Sequence, residues 1–326
     1  MMIVAELGAS HNGSFARAIE LIDLAADAGA DAVKFQTWTP ETMAFAGNKI
    51  ESGAWIGMDM QALYAQAHTP WEWMKPLFDH AKKKGLIAFS TPFDHGALEF
   101  LETLNCPIYK ISSFEIVDLE LIRACAKTGK RLIISTGMAS RMEVLLAVKA
   151  AEGAASITLL KCTSAYPARP ESCNLSTLED LKRICPSVGI SDHTHGISVP
   201  VAATVMGIDV IEKHLTLSRK EGLDAQFSLE PHEFKQMVAE CRNAQEAIGT
   251  VQYGPTPDEL PSLKLRRSLY LKKDVAKGER LTKDHITTAR PNLGAQPRLL
   301  PLLLNRAMLK AASAGTPLTE DLLVRA

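Results

Sequence analysis

Eight short runs of apolar, β-favouring residues recur along the first 216 positions, at 3–7, 32–36, 86–90, 108–112, 132–136, 157–162, 188–191 and 210–214. Several are apolar at almost every position, as strands buried on both faces are. Most of the gaps carry a helical period instead. Residues 16–28 put Ile19, Ile22 and Ala26 on one face, and 73–84, 119–127, 142–151, 178–183 and 199–206 read the same way. Gly29, Gly85, Gly129 and Gly207 stand where such helices should stop.

Eight β-then-α units over about 250 residues predict an α/β chain folded as a (β/α)8 TIM barrel. An open doubly wound sheet is the runner-up, but a G-x-G-x-x-G turn after the first strand is absent. The stretch 37–70 has no clear period and is expected to be a long loop over the mouth. The barrel domain is expected over 1–250, ending at a helix over 234–248. A linker follows over 251–266, containing GPTPDELP. Residues 267–326 then form a small separate module, expected as short strands with turns over 268–271, 277–279, 286–289 and 314–317. About 60 residues make a marginal core, so this module is expected to lean on something.

Composition narrows the classes. The chain is 46% hydrophobic and 22% charged, which excludes disorder and low-complexity arrays. No apolar run approaches a membrane span, no signal peptide is evident, and no C-x-x-C pair occurs among the 6 Cys, so a cytoplasmic protein is expected. The formal net charge of −1 conceals an asymmetry. Residues 267–326 hold 11 Lys+Arg against 5 Asp+Glu, leaving 25 against 32 in the rest. A basic module beside an acidic body suggests nucleic-acid binding or two parts that dock. Interleaved acids and a single aromatic, Tyr270, weigh against nucleic acid.

Chemistry in such a barrel sits at the C-terminal strand ends. Polar residues accumulate there: Glu6, Lys34, Gln36, Thr91, Lys110, Ser113, Glu115, Lys161, Ser164, Tyr166, Ser191, Asp192, His193, Glu212, Lys213 and His214. A lone lysine there is ordinarily a solvated terminus, and a lone serine a helix cap. Together, lysines and hydroxyls on one rim suit a phosphate or carboxylate. His193 and His214, on adjacent strands, could hold a divalent metal with open positions, with Glu6, Glu115 and Asp224 as acid–base or hydroxyl partners. Asp192 and Glu212 read as support behind them.

These residues carry a resemblance. AELGASHNGS, VKFQTWTPET, FSTPFD, YKISSFE, LIISTGMAS, LLKCTSAYPA, VGISDHTHGISVPVAA, VIEKHLTL and RRSLYLKKDVAKGE…TTARP, in this order, resemble the sialic acid synthase family. That family condenses phosphoenolpyruvate with an N-acetylated amino sugar to a nonulosonic acid, and the tail is similar to its antifreeze-like (SAF) β-clip domain. The resemblance implies phosphoenolpyruvate contacts at Lys34, Thr91, Lys110, Ser113, Ser164 and Ser191, where Ser164 replaces the family's usual Asn. It implies metal ligation (Mn2+ or Mg2+) by His193 and His214, catalytic neighbours in Glu6, Gln36 and Glu115, and sugar contacts at Tyr166 and Asp224. It also implies a domain-swapped homodimer in which Arg290 of one chain touches the N-acyl group bound by the other, although Asn292–Gln296 departs from the family's glycine-rich continuation.

Within the family, Ser113-Phe114-Glu115, KCTSAYP and FSLEP after Asp224 look like the branch that makes pseudaminic acid from 2,4-diacetamido-2,4,6-trideoxy-altropyranose. Phe114 would suit its less polar C6, or would simply pack beneath its loop. N-acetylneuraminate and legionaminic acid formation stay open as alternatives, as does a non-catalytic barrel that binds a sugar phosphate.

Overall fold

The computed structural model describes residues 1–324; the last two positions of the expected C-terminal module lie outside the described residues. The chain divides into two compact units, Met1–Gly249 and a second beginning at Thr250.

In the first unit, strands β1 (Met2–Glu6), β2 (Ala32–Thr37), β3 (Ile87–Pro92), β4 (Ile108–Ile111), β5 (Arg131–Ser135), β6 (Ile157–Cys162), β7 (Val188–Asp192) and β8 (Val210–His214) are parallel. They close into one barrel in chain order. Eight helices pack around it or close its lower end: α1 (Phe15–Asp27), α4 (Trp71–Lys83), α5 (His95–Thr103), α6 (Leu119–Lys127), α7 (Arg141–Ala150), α8 (Thr177–Ile184), α9 (Ser198–Val205) and α10 (Pro231–Ile248). The expected loop 37–70 contains two short helices, α2 (Pro40–Met43) and α3 (Met60–Ala67). The first is barely one turn long and the second buries only Leu63 and Ala67, so neither shows a clear apolar stripe in sequence. Helix α5 was not anticipated either; Asp94 caps it by accepting from the Ala97 amide at 2.7 Å.

Why the barrel forms is visible in the alternation. In parallel strands every second residue faces inward, and neighbours in register face the same way. Ile3, Val33, Ile134 and Leu159, which point outward, meet Ile22, Leu77, Leu121 and Leu178 of the helices in one buried core. Inward positions lower in the barrel are mostly apolar, with Phe89 fully buried; the exceptions, Arg131 and Thr158, bond each other at 3.1 Å. The polar positions come last on each strand, at one end.

The second unit holds an antiparallel pair, β9 (Ser268–Leu271) and β10 (Ile286–Ala289), and one short helix, α11 (Leu300–Leu303). The stretches 277–279 and 314–317 are turns flanked by isolated bridges, within the expected alternation of short strands and turns. The segment 251–266 includes a 3-10 run over Pro257–Leu265. The unit has an apolar core of its own, built from Leu269, Leu271, Val275, Leu281, Ile286, Leu303, Met308, Leu318, Leu322 and Leu323. Arg290 is exposed, immediately after β10. The loop that follows is held by Ser268 Oγ, which receives the Gly294 amide (2.9 Å), and by Tyr270, whose hydroxyl donates to Pro291 O (2.6 Å). Gly294 is required there, since a Cβ would sit 2.2 Å from Leu269 O.

Candidate active site

Register decides which strand-end residues share a site. Glu6 pairs with Lys34 and His214, Gln36 with Thr91, Lys110 with Ile133, Cys162 with Ser191, and Ser191 with Glu212. All of these face the barrel interior. Lys161 pairs with Ile190 and Asp192 with Lys213, one position out of phase, so these three charged residues face the helices instead. The rim read from sequence therefore loses Lys161, Lys213 and Asp192. Asp192 does not back the histidines as support; it anchors Lys213 at 2.5 Å on the outside of the wall.

The inner face holds a compact charge cluster. Lys34 Nζ lies 2.5 Å from Glu6 Oε2 and 4.0 Å from Glu212 Oε2, and donates to Thr91 Oγ1 at 3.3 Å. Lys110 Nζ lies 3.6 Å from Glu212 Oε1, which also accepts from Ser191 Oγ at 2.9 Å. Gln36 donates to Glu6 at 2.7 Å. Burial opposes charge on every member, and the mutual attractions decide the outcome. For Lys34, Glu212 and Glu6 outweigh burial and raise its amine above the ordinary value. For Lys110 burial wins and lowers it. For Glu6 burial wins and raises the carboxyl, against Lys34. Glu212, facing two lysines, is held below its usual range despite burial.

Glu212, which sequence reading placed behind the histidines, is thus the hinge of the cluster: it is what allows two lysines to be buried side by side. Lys110 forms no hydrogen bond to a protein group; its donors are free for a ligand.

Beside the lysines, Ser113 Oγ accepts from the Gly137 amide at 3.0 Å. A Cβ on Gly137 would lie 2.2 Å from Ser164 Oγ and 2.6 Å from Ser113 Oγ, so the bare glycine is what lets the two hydroxyls converge. Ser135 Oγ is buried with no partner on the same inner face. Glu115 opens the turn after β4 and accepts from Ser112; burial raises its carboxyl, against Ser112 and Lys110. Phe114 does not pack beneath its loop but is 57% exposed at the rim.

The histidines form the other half. His193 and His214 have ring centroids 5.3 Å apart. His193 Nδ1 sits 3.1 Å from Thr163 O, an arrangement that leaves Nε2 with the lone pair. His214 Nδ1 is buried without a hydrogen-bond partner, 3.7 Å from Asp224 Oδ2. Burial, reinforced by His193, keeps His214 neutral. Asp224 accepts from the Ala9 amide at 2.9 Å. Gly8 makes room for it: a Cβ there would lie 2.4 Å from Asp224 Oδ2 and 3.2 Å from Glu6 Oε1. Tyr166 and Phe227 pack on the histidines, at 4.4 Å (Tyr166–His193) and 4.9 Å (Phe227–His214).

Two neutral-capable imidazoles, one with an orphaned buried nitrogen, form a donor set that suits a divalent cation. Among the described residues no group of three or more His, Cys, Asp or Glu stands in ligating geometry. An ion here would keep open positions for substrate and water.

Sequence reading passed over Gly8, Gly137, Cys162 and Phe227 as site-building residues, while Ser135 stood among the strand-end hydroxyls. The signal for the two glycines is visible only in three dimensions. Cys162 Sγ lies on the same inner face, 3.9 Å from His193 Nδ1. Arg290 lies in the second unit, and the other thirteen expected site residues all lie in the first.

Comparison with known proteins adds a lineage to this geometry. A NeuB family model matches residues 21–253, and a SAF domain model matches 266–324. The chain is 40% identical over 328 residues to a pseudaminic acid synthase of Helicobacter pylori, with 98% of this chain and 96% of that protein covered. It is 37% identical over 315 residues to an N,N'-diacetyllegionaminic acid synthase of Campylobacter jejuni, covering 90% and 91%. Among solved structures, an N-acetylneuraminic acid synthetase from Leptospira borgpetersenii in complex with citrate superposes with a TM-score of 0.72 at 34% identity, over 80% of this chain and 90% of that one.

Proposed function

The chain belongs to the NeuB family, and from that premise we propose that it is a pseudaminic acid synthase. It condenses phosphoenolpyruvate with 2,4-diacetamido-2,4,6-trideoxy-altropyranose and releases phosphate by C–O cleavage. The observation that supports this most is the buried Lys34–Glu212–Lys110 cluster with free donors on Lys110, beside the two histidines.

Phosphoenolpyruvate binds with its phosphate and carboxylate on Lys34, Thr91, Lys110, Ser113, Ser164 and Ser191. Lys110 contributes most, because its ammonium is desolvated and unpaired by any hydrogen bond until the anion arrives. Asp224 and Tyr166 face the open-chain sugar. C3 of phosphoenolpyruvate bonds to the aldehyde carbon, whose oxygen takes up a proton. Water adds at C2, and the resulting hemiketal phosphate loses phosphate with cleavage of its C2–O bond. Glu115, its carboxyl raised by burial, is suited to exchange a proton with the water that adds at C2 or with the aldehyde oxygen. Glu6 and Gln36, linked at 2.7 Å, orient the water.

His193 and His214 would hold Mn2+ or Mg2+, which when bound supplies Lewis acidity toward the aldehyde oxygen. Thr163 O fixes the His193 ring for this role. The same reading brings Arg290 of a partner chain to the N-acyl group in a homodimer, and places the enzyme in the cytoplasm; among the described residues no helix is long and apolar enough to cross a membrane.

Phosphate release measured side by side with the altro sugar, N-acetylmannosamine and the legionaminic precursor tests the acceptor. Turnover of N-acetylmannosamine alone would overturn it. For the metal, His193→Ala should abolish both Mn2+ binding seen by electron paramagnetic resonance and chelator-sensitive turnover; unchanged Mn2+ binding would reject the ligand assignment.

A further inference from the structure

The loop 37–70 sends one side chain across the barrel mouth. Trp55, half-buried between α2 and α3, donates its indole N–H to Leu223 O at 2.9 Å. Leu223 in turn packs against the Trp38 cluster at the base of the same loop. The connections after β2 and β8 are therefore stitched together twice, directly beside Asp224.

The indole also extends the aromatic packing on the histidines. Its ring lies 5.3 Å from Tyr166 and 5.8 Å from Phe227, and those two rings are 5.0 Å apart. From His214 outward the order is Phe227, then Trp55. A sugar whose aldehyde lies at the histidines and whose next carbons are held by Asp224 therefore directs its far end along this wall. Between Phe227 and Trp55 that wall offers ring carbons, with the indole donor spent on Leu223 O and the wall's one other polar group, the Tyr166 hydroxyl, directed to Ser164. A hydroxyl placed there finds no partner and loses its water, whereas a methyl group gains contact.

We propose that Trp55, with Tyr166 and Phe227, forms the apolar wall that receives the C6 methyl of a 6-deoxy acceptor, and that it sets the preference for such sugars over 6-hydroxylated ones. This rests on the acceptor reading above. It also moves that preference away from Phe114, which stands exposed outside the aromatic packing. The wall senses the methyl and not the ring stereochemistry, so the altro and manno forms of the 2,4-diacetamido-2,4,6-trideoxy sugar should lose equally when it is removed.

The test compares kcat/KM for both 6-deoxy sugars and for N-acetylmannosamine in wild type, Trp55→Ala and Trp55→Phe. A methyl-sized contact in an apolar pocket is worth about 10–200-fold. Trp55→Ala should lower the 6-deoxy to 6-hydroxy ratio by about tenfold or more, mainly through the sugar KM, with the phosphoenolpyruvate KM unchanged. Trp55→Phe keeps a ring and loses only the N–H to Leu223, so it should lower kcat through Asp224 yet retain the ratio. An unchanged ratio in Trp55→Ala, or an equal loss in Trp55→Phe, overturns the wall. A wild type that turns over neither 6-deoxy sugar overturns the acceptor reading instead. An intact phosphoenolpyruvate KM shows that the variants are folded.

Discussion

Two buried lysine clusters sit a few ångströms apart on opposite faces of the same barrel wall. On the outer face Lys213 is fully buried and twice bonded: it bonds Asp192 at 2.5 Å and also Thr194 O, while Asp192 accepts the Thr194 amide and hydroxyl. On the inner face Lys110 is 2% exposed and has only Glu212, at 3.6 Å. Burial lowers the amine of each. The outer cluster has spent its donors on the protein and so serves the fold. The inner one retains them and so serves a ligand. A buried charge reports function when its hydrogen bonds are incomplete, not merely because it is buried.

The comparison can be broken most severely at the outer cluster. Lys213→Met strands Asp192 in an apolar layer and should cost about 3–5 kcal/mol of stability in urea unfolding, while the folded fraction turns over normally. Lys213→Met/Asp192→Leu should recover much of the loss. At the inner cluster the effect changes kind. Lys110→Met should lower kcat/KM for phosphoenolpyruvate by about 10²–10³, with a smaller shift in Tm than Lys213→Met produces. If instead Lys110→Met mainly unfolds the protein, the distinction between the clusters fails.

A subtler probe moves the cluster without changing its charge. Gly8 has φ +37°, and its missing Cβ keeps Asp224 and Glu6 in place. Gly8→Ala should cost on the order of 10² in kcat, whereas Gly13→Ala, with open space around it, should show only the strain of its positive φ in Tm. The smallest expected effect is on the pH dependence of stability. Glu115 has a carboxyl raised above 4.5 by burial, so folding favours its protonated form. Its contribution is therefore full below the unfolded value and is lost as pH rises through the folded one. Glu115→Gln should raise Tm at neutral pH, and the gain should vanish below about pH 4. A gain that is the same at every pH would refute burial as the cause.

Much of the barrel was legible because its signals are local. Eight apolar runs separated by helical periods leave few ways to bury both faces of every strand, and the polar residues fell at one end of each run. The short helices α2 and α3 were not legible, since α2 is barely one turn long and α3 buries only Leu63 and Ala67. In the site, Lys34, Lys110, His193 and His214 could be named because charged groups at the ends of apolar strands are costly and conspicuous. Gly8 and Gly137 could not, because a glycine matters there only through atoms remote in sequence that would strike its Cβ. Nor could Trp55 be told from any other aromatic in a polar loop, since its partner Leu223 is 168 positions away.

The sequence by itself determined the order of strands and helices, the family, and the end of the barrel at which charge gathers, because each of these is written in local periodicity and ordered motifs. Only the tertiary structure decided which of those charges meet. Within Val210–His214 the residues Glu212, Lys213 and His214 stand consecutively, and a strand period of two sends the first and last inward and the middle one outward. Register around the closed barrel then set Glu212 between two lysines and left Lys110 with donors to give. That division depends on closure of all eight strands, a condition that no local stretch of the chain contains.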